Sequence, residues 1–340
     1  MKICSLCVLP QTYPGIRFSS EGICNFCLEE KERPRNARHF QGLQKKLDRA
    51  LRIRAPGSEY DCVVAFSGGK DSSYTLRYLV KERGLRCLAI TIDNGFISET
   101  AKKNCSRITA ALGVDFQWFS PHAGFLHALY RKSAEHPEMH PPAAIKRASV
   151  ICNSCISLIN NYMLVTSLQK KIPLIAGGYL GGQVPKDAVA LEVNLANTCQ
   201  ARSEQVRLWK PSLGAESMRF FGIPKDLIDR SGMKKVTVVN PMLALRVAEE
   251  EVFRWVKELG WEQPMDTGKN SSNCRLNDLG IVLHLEKYGF HPYALELSEQ
   301  IRAGLMTREK ALAKINDRPS AEKLQTVARP LGLERESFLS

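Results

Sequence analysis

Apolar residues in this chain come in two rhythms. From residue 58 onward, short unbroken apolar runs alternate with stretches of helical spacing. The runs are "CVVAF", "CLAITI", "VDFQWF", "IPLIAGG" and "KVTVVNP". Short apolar runs bounded by turn residues read as buried strands, and their alternation with helices predicts a parallel sheet covered on both faces. Ahead of them, "FQGLQKKLDRALRIR" has helical spacing and "APGSEY" breaks the chain. After about residue 246 the strand signals stop, and "AEEEVFRWVKELGW" and "SEQIRAGLMTREKALAKI" read as amphipathic helices. The expected fold class is α/β, a doubly wound parallel sheet with a compact N-terminal module and a helical C-terminal region. The divisions expected are 1–32, a helical linker 33–57, the sheet domain 58–245 and the helical region 246–340.

Composition narrows the function classes. Lys and Arg outnumber Asp and Glu by 48 to 35 in 340 residues, a net charge of +13. Such an excess favours polyanionic partners such as RNA, DNA, nucleotides or sugar nucleotides. No apolar run approaches membrane-spanning length, and "MKICSLCVLP" has no signal-peptide pattern. A cytoplasmic location and no membrane partner are therefore expected. Eleven cysteines in such a chain call for a role other than disulfides. Cys62, Cys87, Cys105 and Cys199 fit no pattern and read as small buried apolar residues. The other seven fall into two sets.

"CSLC" and "CNFC" place Cys4, Cys7, Cys24 and Cys27 as C-x2-C-x16-C-x2-C. Two such knuckles suit one tetrahedral Zn²⁺. An iron centre on the same ligands, or an empty site, are the alternatives. Four thiolates fill the coordination, so the expected role is structural. The second set is Cys152 and Cys155 in "ICNSCISLIN" with Cys274 in "NSSNCRLND". Three thiolates suit a [4Fe–4S] cluster with one open iron. A persulfide with a resolving cysteine is the second reading, and three ordinary cysteines the third.

"SGGKDS", Ser67 to Ser72, directly follows the first strand run. Gly68 and Gly69 let the backbone approach a phosphate, and a helix starting near Ser72 adds its dipole. Lys70 supplies charge; Ser67 and Ser72 supply hydroxyls. The loop is too short for a Walker pattern. A glycine turn with Asp71 or Ser72 as helix cap is the plainer alternative.

The motif resembles the signature of the PP-loop ATP pyrophosphatase superfamily over roughly residues 58–245. That resemblance implies ATP with Mg²⁺, pyrophosphate held by Ser67, Gly68, Gly69, Lys70, Asp71 and Ser72, and an adenylated oxygen displaced by nitrogen or sulfur. It also implies nucleotide contacts at Asp93 and Asn94, in "AITIDNG", and at Gly177 and Gly178, in "LIAGGY". Many members continue with His-Asn-Leu-Asp-Asp, where this chain has "YLGGQ", so those acidic contacts do not carry over. The second cysteine set resembles the tRNA thiolation branch. "CVLPQTYPGIRFSSEGICNFC" and "YGFHPYALELSEQIRAGLMTREKALAKI" are similar to the two ends of the N-acetyl sugar amidotransferases of surface-polysaccharide synthesis.

The reading favoured is an ATP-dependent sulfurtransferase acting on tRNA or a small metabolite such as a sugar, with Lys70, Asp71, Cys152, Cys155 and Cys274 in the chemistry. It needs a sulfur donor. The alternative is ammonia transfer to a sugar with a glutaminase partner, and a non-catalytic zinc-ribbon RNA-binding protein is the third. A homodimer is allowed for. His122, His127, His136 and His140 match no metal spacing and read as a loop beside the site. Lys146, Arg147 and "EKERPRNAR" read as solvated basic patches or polyanion contacts.

Overall fold

The computed structural model describes residues 2–335. Six strands form one sheet: β1 Cys62–Ala65, β2 Cys87–Ile92, β3 Asp115–Phe119, β4 Leu174–Ala176, β5 Ala190–Asn194 and β6 Lys235–Val239. Their order is β3-β2-β1-β4-β6-β5. The five strands expected from apolar runs pair in parallel, and β5 pairs antiparallel to β6 at the edge. β5 was not foreseen. Leu191 and Glu192 are exposed there, so its segment has no continuous apolar run.

Alternation along the central strands feeds two layers. Cys62, Val64, Cys87 and Ala89 pack with Leu47, Leu76, Ile108 and Val252 on one face. Val63, Leu88 and Ile90 pack with Leu164, Leu168 and Ile172 on the other. The chain runs β1, β2, β3 to one side, then crosses to β4 on the far side of β1. The order reverses between β1 and β4, and a crevice opens at the carboxyl ends of those two strands.

Helices depart from the expectations in four places. The helix after β1 is Lys70–Arg77, starting two residues before Ser72. "SEQIRAGLMTREKALAKI" is not one helix. It divides into Ala294–Arg302 and Arg308–Ile315, because Gly304 takes φ +72° and Thr307 caps the second helix. Leu276–Tyr288 is a further helix. The histidine-rich segment is no loop: it holds the helix Ala123–Glu135, capped by His122. His140 is buried against Ser133 and Ser154.

The C-terminal helices return to the N-terminal module. Leu9, Tyr13 and Ile23 share an apolar cluster with Phe290, Ala294 and Leu295. Arg308 donates to the carbonyls of Cys7 and Cys4, both at 3.1 Å. No described helix is long and apolar enough to cross a membrane.

Candidate functional site

The loop after β1 is built by its own small residues. Gly68 has φ +71°, and a Cβ there would overlap the carbonyl of Ala101 and sit 2.8 Å from Cys105 Sγ. Ser67 N–H donates to Ser72 Oγ at 3.2 Å. Ser72 and Ser73 hydroxyls donate to the Gly69 carbonyl at 3.1 and 2.8 Å. Gly178, past the end of β4, approaches so closely that a Cβ would stand 3.0 Å from the Ser72 backbone. Gly177 is hemmed in by the Tyr179 ring, 2.7 Å from where its Cβ would be. The two strand ends therefore meet at a helix N-terminus whose first amides are held only by serine hydroxyls, which a bound anion could replace.

Charge is arranged around Lys70. Its Nζ lies 2.8 Å from Asp71 and 3.4 Å from Glu249. Burial opposes its charge, but those carboxylates outweigh burial and hold it protonated. Glu249 is held below the ordinary carboxylate value, with burial overcome by Lys70 and Lys314. "YLGGQ" is a tight turn whose Gln183 donates to Glu296 Oε2 at 2.8 Å. The carboxylate facing this turn thus comes from a C-terminal helix. Burial, then the charge of Asp71, pushes Glu296 up to about 7. Lys70, Asp71, Gln183, Glu249 and Glu296 line one cavity of about 240 Å³.

A second cavity, of about 270 Å³, shares Asp71 with the first. Ser67, Gly69, Ser72, Asn94, Gly177 and Gly178 line it, together with Cys152, Cys155 and Cys274. Cys152 and Cys155 lie in the opening turns of the helix Val150–Lys170, whose cap Ser149 accepts from Cys152 N–H. Cys274 arrives from the C-terminal region. It bridges antiparallel to Ile97, with Arg275 N–H donating to Phe96 O and Ser98 N–H to Asn273 O. Asn94 Nδ2 lies 3.1 Å from Cys274 Sγ and 3.9 Å from Cys155 Sγ. The two sulfurs are therefore at most 7.0 Å apart, the sum of those distances. Burial, then neighbouring thiolate charge, pushes Cys152 up to about 11 and Cys155 up to about 12. Cys274 is raised as well, by burial, with Asn94 opposing.

As free thiols these three stay protonated at neutral pH. Positive charge from iron would make thiolates of them. A polar orphan points the same way: Tyr130 Oη is buried without a hydrogen-bond partner and interacts electrostatically with Cys155 and Cys274. The three thiols line one cavity and Cys155 lies within 7.0 Å of Cys274, a spacing a cluster could bridge, whereas the group whose sulfurs close to within 4.8 Å among the described residues is the N-terminal four.

Asp93 accepts from Gly95 N–H at 2.9 Å and does not line either cavity. Ser272, unforeseen, reaches the loop from the segment carrying Cys274. Its Oγ accepts from Lys70 N–H at 3.1 Å. Arg147 donates to Gly182 O, and Arg35 pairs with Glu30 and Glu299, so these basic residues have structural partners.

Cys4, Cys7, Cys24 and Cys27 are buried, with all four sulfurs within 4.8 Å of one another. Cys4 to Cys27 is 4.0 Å and Cys7 to Cys24 is 3.7 Å. Zinc–sulfur bonds of about 2.3 Å in a tetrahedron require sulfur–sulfur edges of about 3.8 Å, so the set fits Zn²⁺. Among the described residues no histidine joins such a group.

Residues 280–340 match the family model of the LPS biosynthesis protein WbpG-like C-terminal domain. An uncharacterized protein of Methanocaldococcus jannaschii is 25% identical over 334 residues, 97% of this chain and 99% of that protein. Among solved structures, the U34-tRNA thiolase NcsA of Methanococcus maripaludis, with its [4Fe–4S] cluster, is similar at 15% identity and TM-score 0.34, over 99% of both chains. The NH3-dependent NAD synthetase of Campylobacter jejuni is similar at 13% identity and TM-score 0.36, over 82% of this chain and 97% of that one. At such scores the two structures fix neither activity nor substrate. The match at 280–340 takes in Glu296 and Arg302 but stops short of Cys274.

Proposed function

We propose that the protein is a PP-loop ATP pyrophosphatase that adenylates an acceptor oxygen and replaces that oxygen with sulfur. One observation carries the reading: the SGGKDS loop and three cysteines from two distant segments line a single cavity. In the first step an acceptor oxygen attacks the α-phosphorus of ATP, and the bond to the β-phosphate oxygen breaks. The loop amides, the Ser67 and Ser72 hydroxyls and Lys70 stabilise the charge on the departing pyrophosphate. Mg²⁺ would enter with ATP, and Asp71 is the loop carboxylate available to it. In the second step a sulfur nucleophile adds at the adenylated carbon, and the carbon–oxygen bond breaks to release AMP. Cys152, Cys155 and Cys274 would hold a [4Fe–4S] cluster, which when bound supplies an open iron for reduced sulfur. Cys4, Cys7, Cys24 and Cys27 would hold a structural zinc. The acceptor is a tRNA base, which suits the net charge of +13, or a small metabolite.

The match at 280–340 favours a second reading, in which ammonia from a glutaminase partner replaces sulfur and the acceptor is a sugar. Anaerobic purification with iron, sulfide and zinc analysis separates the two. The sulfur reading expects about four irons and four sulfides per chain beside one zinc, with acceptor-dependent AMP formation supported by sulfide. Zinc alone, with turnover on ammonium, makes ammonia transfer the function. ADP and phosphate as products would remove both.

A further inference from the structure

Asn94 follows Asp93 at the end of β2, where a nucleotide contact is expected, yet its carboxamide is engaged elsewhere. Its Oδ1 accepts from Phe96 N–H at 2.9 Å, which fixes which end of the amide is nitrogen. The nitrogen, a donor only, then lies against Cys274 Sγ at 3.1 Å and Cys155 Sγ at 3.9 Å. Asn94 is 5% exposed, and the orphaned hydroxyl of Tyr130 is likewise buried beside Cys155. One buried donor, Asn94, is thus already on sulfur, and a second, the Tyr130 hydroxyl, lies near Cys155 with no hydrogen-bond partner of its own.

We infer that Asn94 and Tyr130 are positioning residues of the sulfur centre, which donate hydrogen bonds to the thiolates of Cys274 and Cys155 and set how readily that centre accepts an electron. The inference rests on the cluster reading above. A donor aimed at a ligand sulfur stabilises negative charge, so it favours the reduced form and raises the potential. A turn-forming role for Asn94 alone would leave the potential untouched.

Three variants divide these cases. Tyr130→Phe removes only a hydroxyl. Asn94→Leu removes the donor and the Phe96 acceptor together. Asn94→Asp keeps the acceptor and replaces the donor with a charged oxygen. Each full-length chain is purified anaerobically, assayed for iron and sulfide, melted, and titrated electrochemically with EPR detection. Tyr130→Phe and Asn94→Leu are each expected to weaken reduction about tenfold, about 59 mV for a one-electron couple. Asn94→Asp shifts further in the same direction. Loss of iron from a variant that melts like the wild type supports the same role. Loss with a lower melting temperature assigns the residue to folding and overturns the inference, as does an unchanged potential in both Tyr130→Phe and Asn94→Leu. A wild-type protein without iron and sulfide overturns the cluster reading, and the inference with it.

Discussion

Lys70 keeps its charge in a buried place because Asp71 and Glu249 surround it. Pyrophosphate would meet a cation already held in position, so its removal costs transition-state stabilisation rather than folding. Lys70→Ala and Asp71→Ala are each expected to lower AMP formation by about 10²- to 10³-fold, roughly 3 kcal/mol, with an unaltered circular dichroism spectrum. An active Lys70→Ala protein would take the loop out of the chemistry. Histidines act on stability instead. Burial lowers His140 and His284 from 6.5 to about 4, and burial with Arg318 and His284 lowers His291 to about 3. Between those values and 6.5 the unfolded chain binds more protons, so stability is full above pH 6.5 and falls as pH drops towards 4. Both ring nitrogens of His284 lack partners, and its ring packs on Tyr288 and Phe290. His284→Phe should therefore flatten the decline in melting temperature between pH 7 and pH 4.5. The contribution removed is on the order of 3 kcal/mol.

At the scale of elements, the turn between β1 and the helix Lys70–Arg77 leaves no room for a side chain. Gly68→Ala brings a Cβ against Ala101 and Cys105 at φ +71°. The expected loss is more than about 2 kcal/mol in urea denaturation, and a wild-type midpoint would mean that the turn relaxes freely. The core strands were legible because burial on both faces leaves continuous apolar runs, as in the fully buried β2. β5 was not, because an edge strand needs no such run. Leu276–Tyr288 escaped because buried Asn277, Asp278 and His284 interrupt its apolar stripe. The candidate site was legible where residues adjacent in sequence act together, as in SGGKDS and the C-x2-C pairs. Asn94 as a sulfur contact, Tyr130, Ser272 and Glu296 were not, since only tertiary folding sets them beside the loop or the cysteines. No local spacing announces such partners.

Across the whole molecule, the first and last segments stabilise each other. Val8 N–H donates to Ser298 Oγ at 3.3 Å, Arg302 reaches Cys27 Sγ at 3.8 Å, and Arg308 holds the carbonyls of Cys4 and Cys7. One zinc per chain is expected, and chelating it should speed amide exchange in Ala294–Arg302 and Arg308–Ile315 as well as around Cys4. Protection that persists in those two helices would separate the module from them. Within that same C-terminal region, the Ser272 hydroxyl rests on Lys70 N–H, the amide a phosphate oxygen would take. A phosphate bound there would have to displace it, so its affinity would be the balance of an exchange. Ser272→Ala should therefore bind pyrophosphate several-fold more tightly, and unchanged or weaker binding would count against the exchange. Since Cys274 lies two residues further on, a triphosphate that displaced Ser272 would pull on the stretch of chain carrying that cysteine. Phosphate binding at the loop and the placement of Cys274 within the same cavity would then vary together.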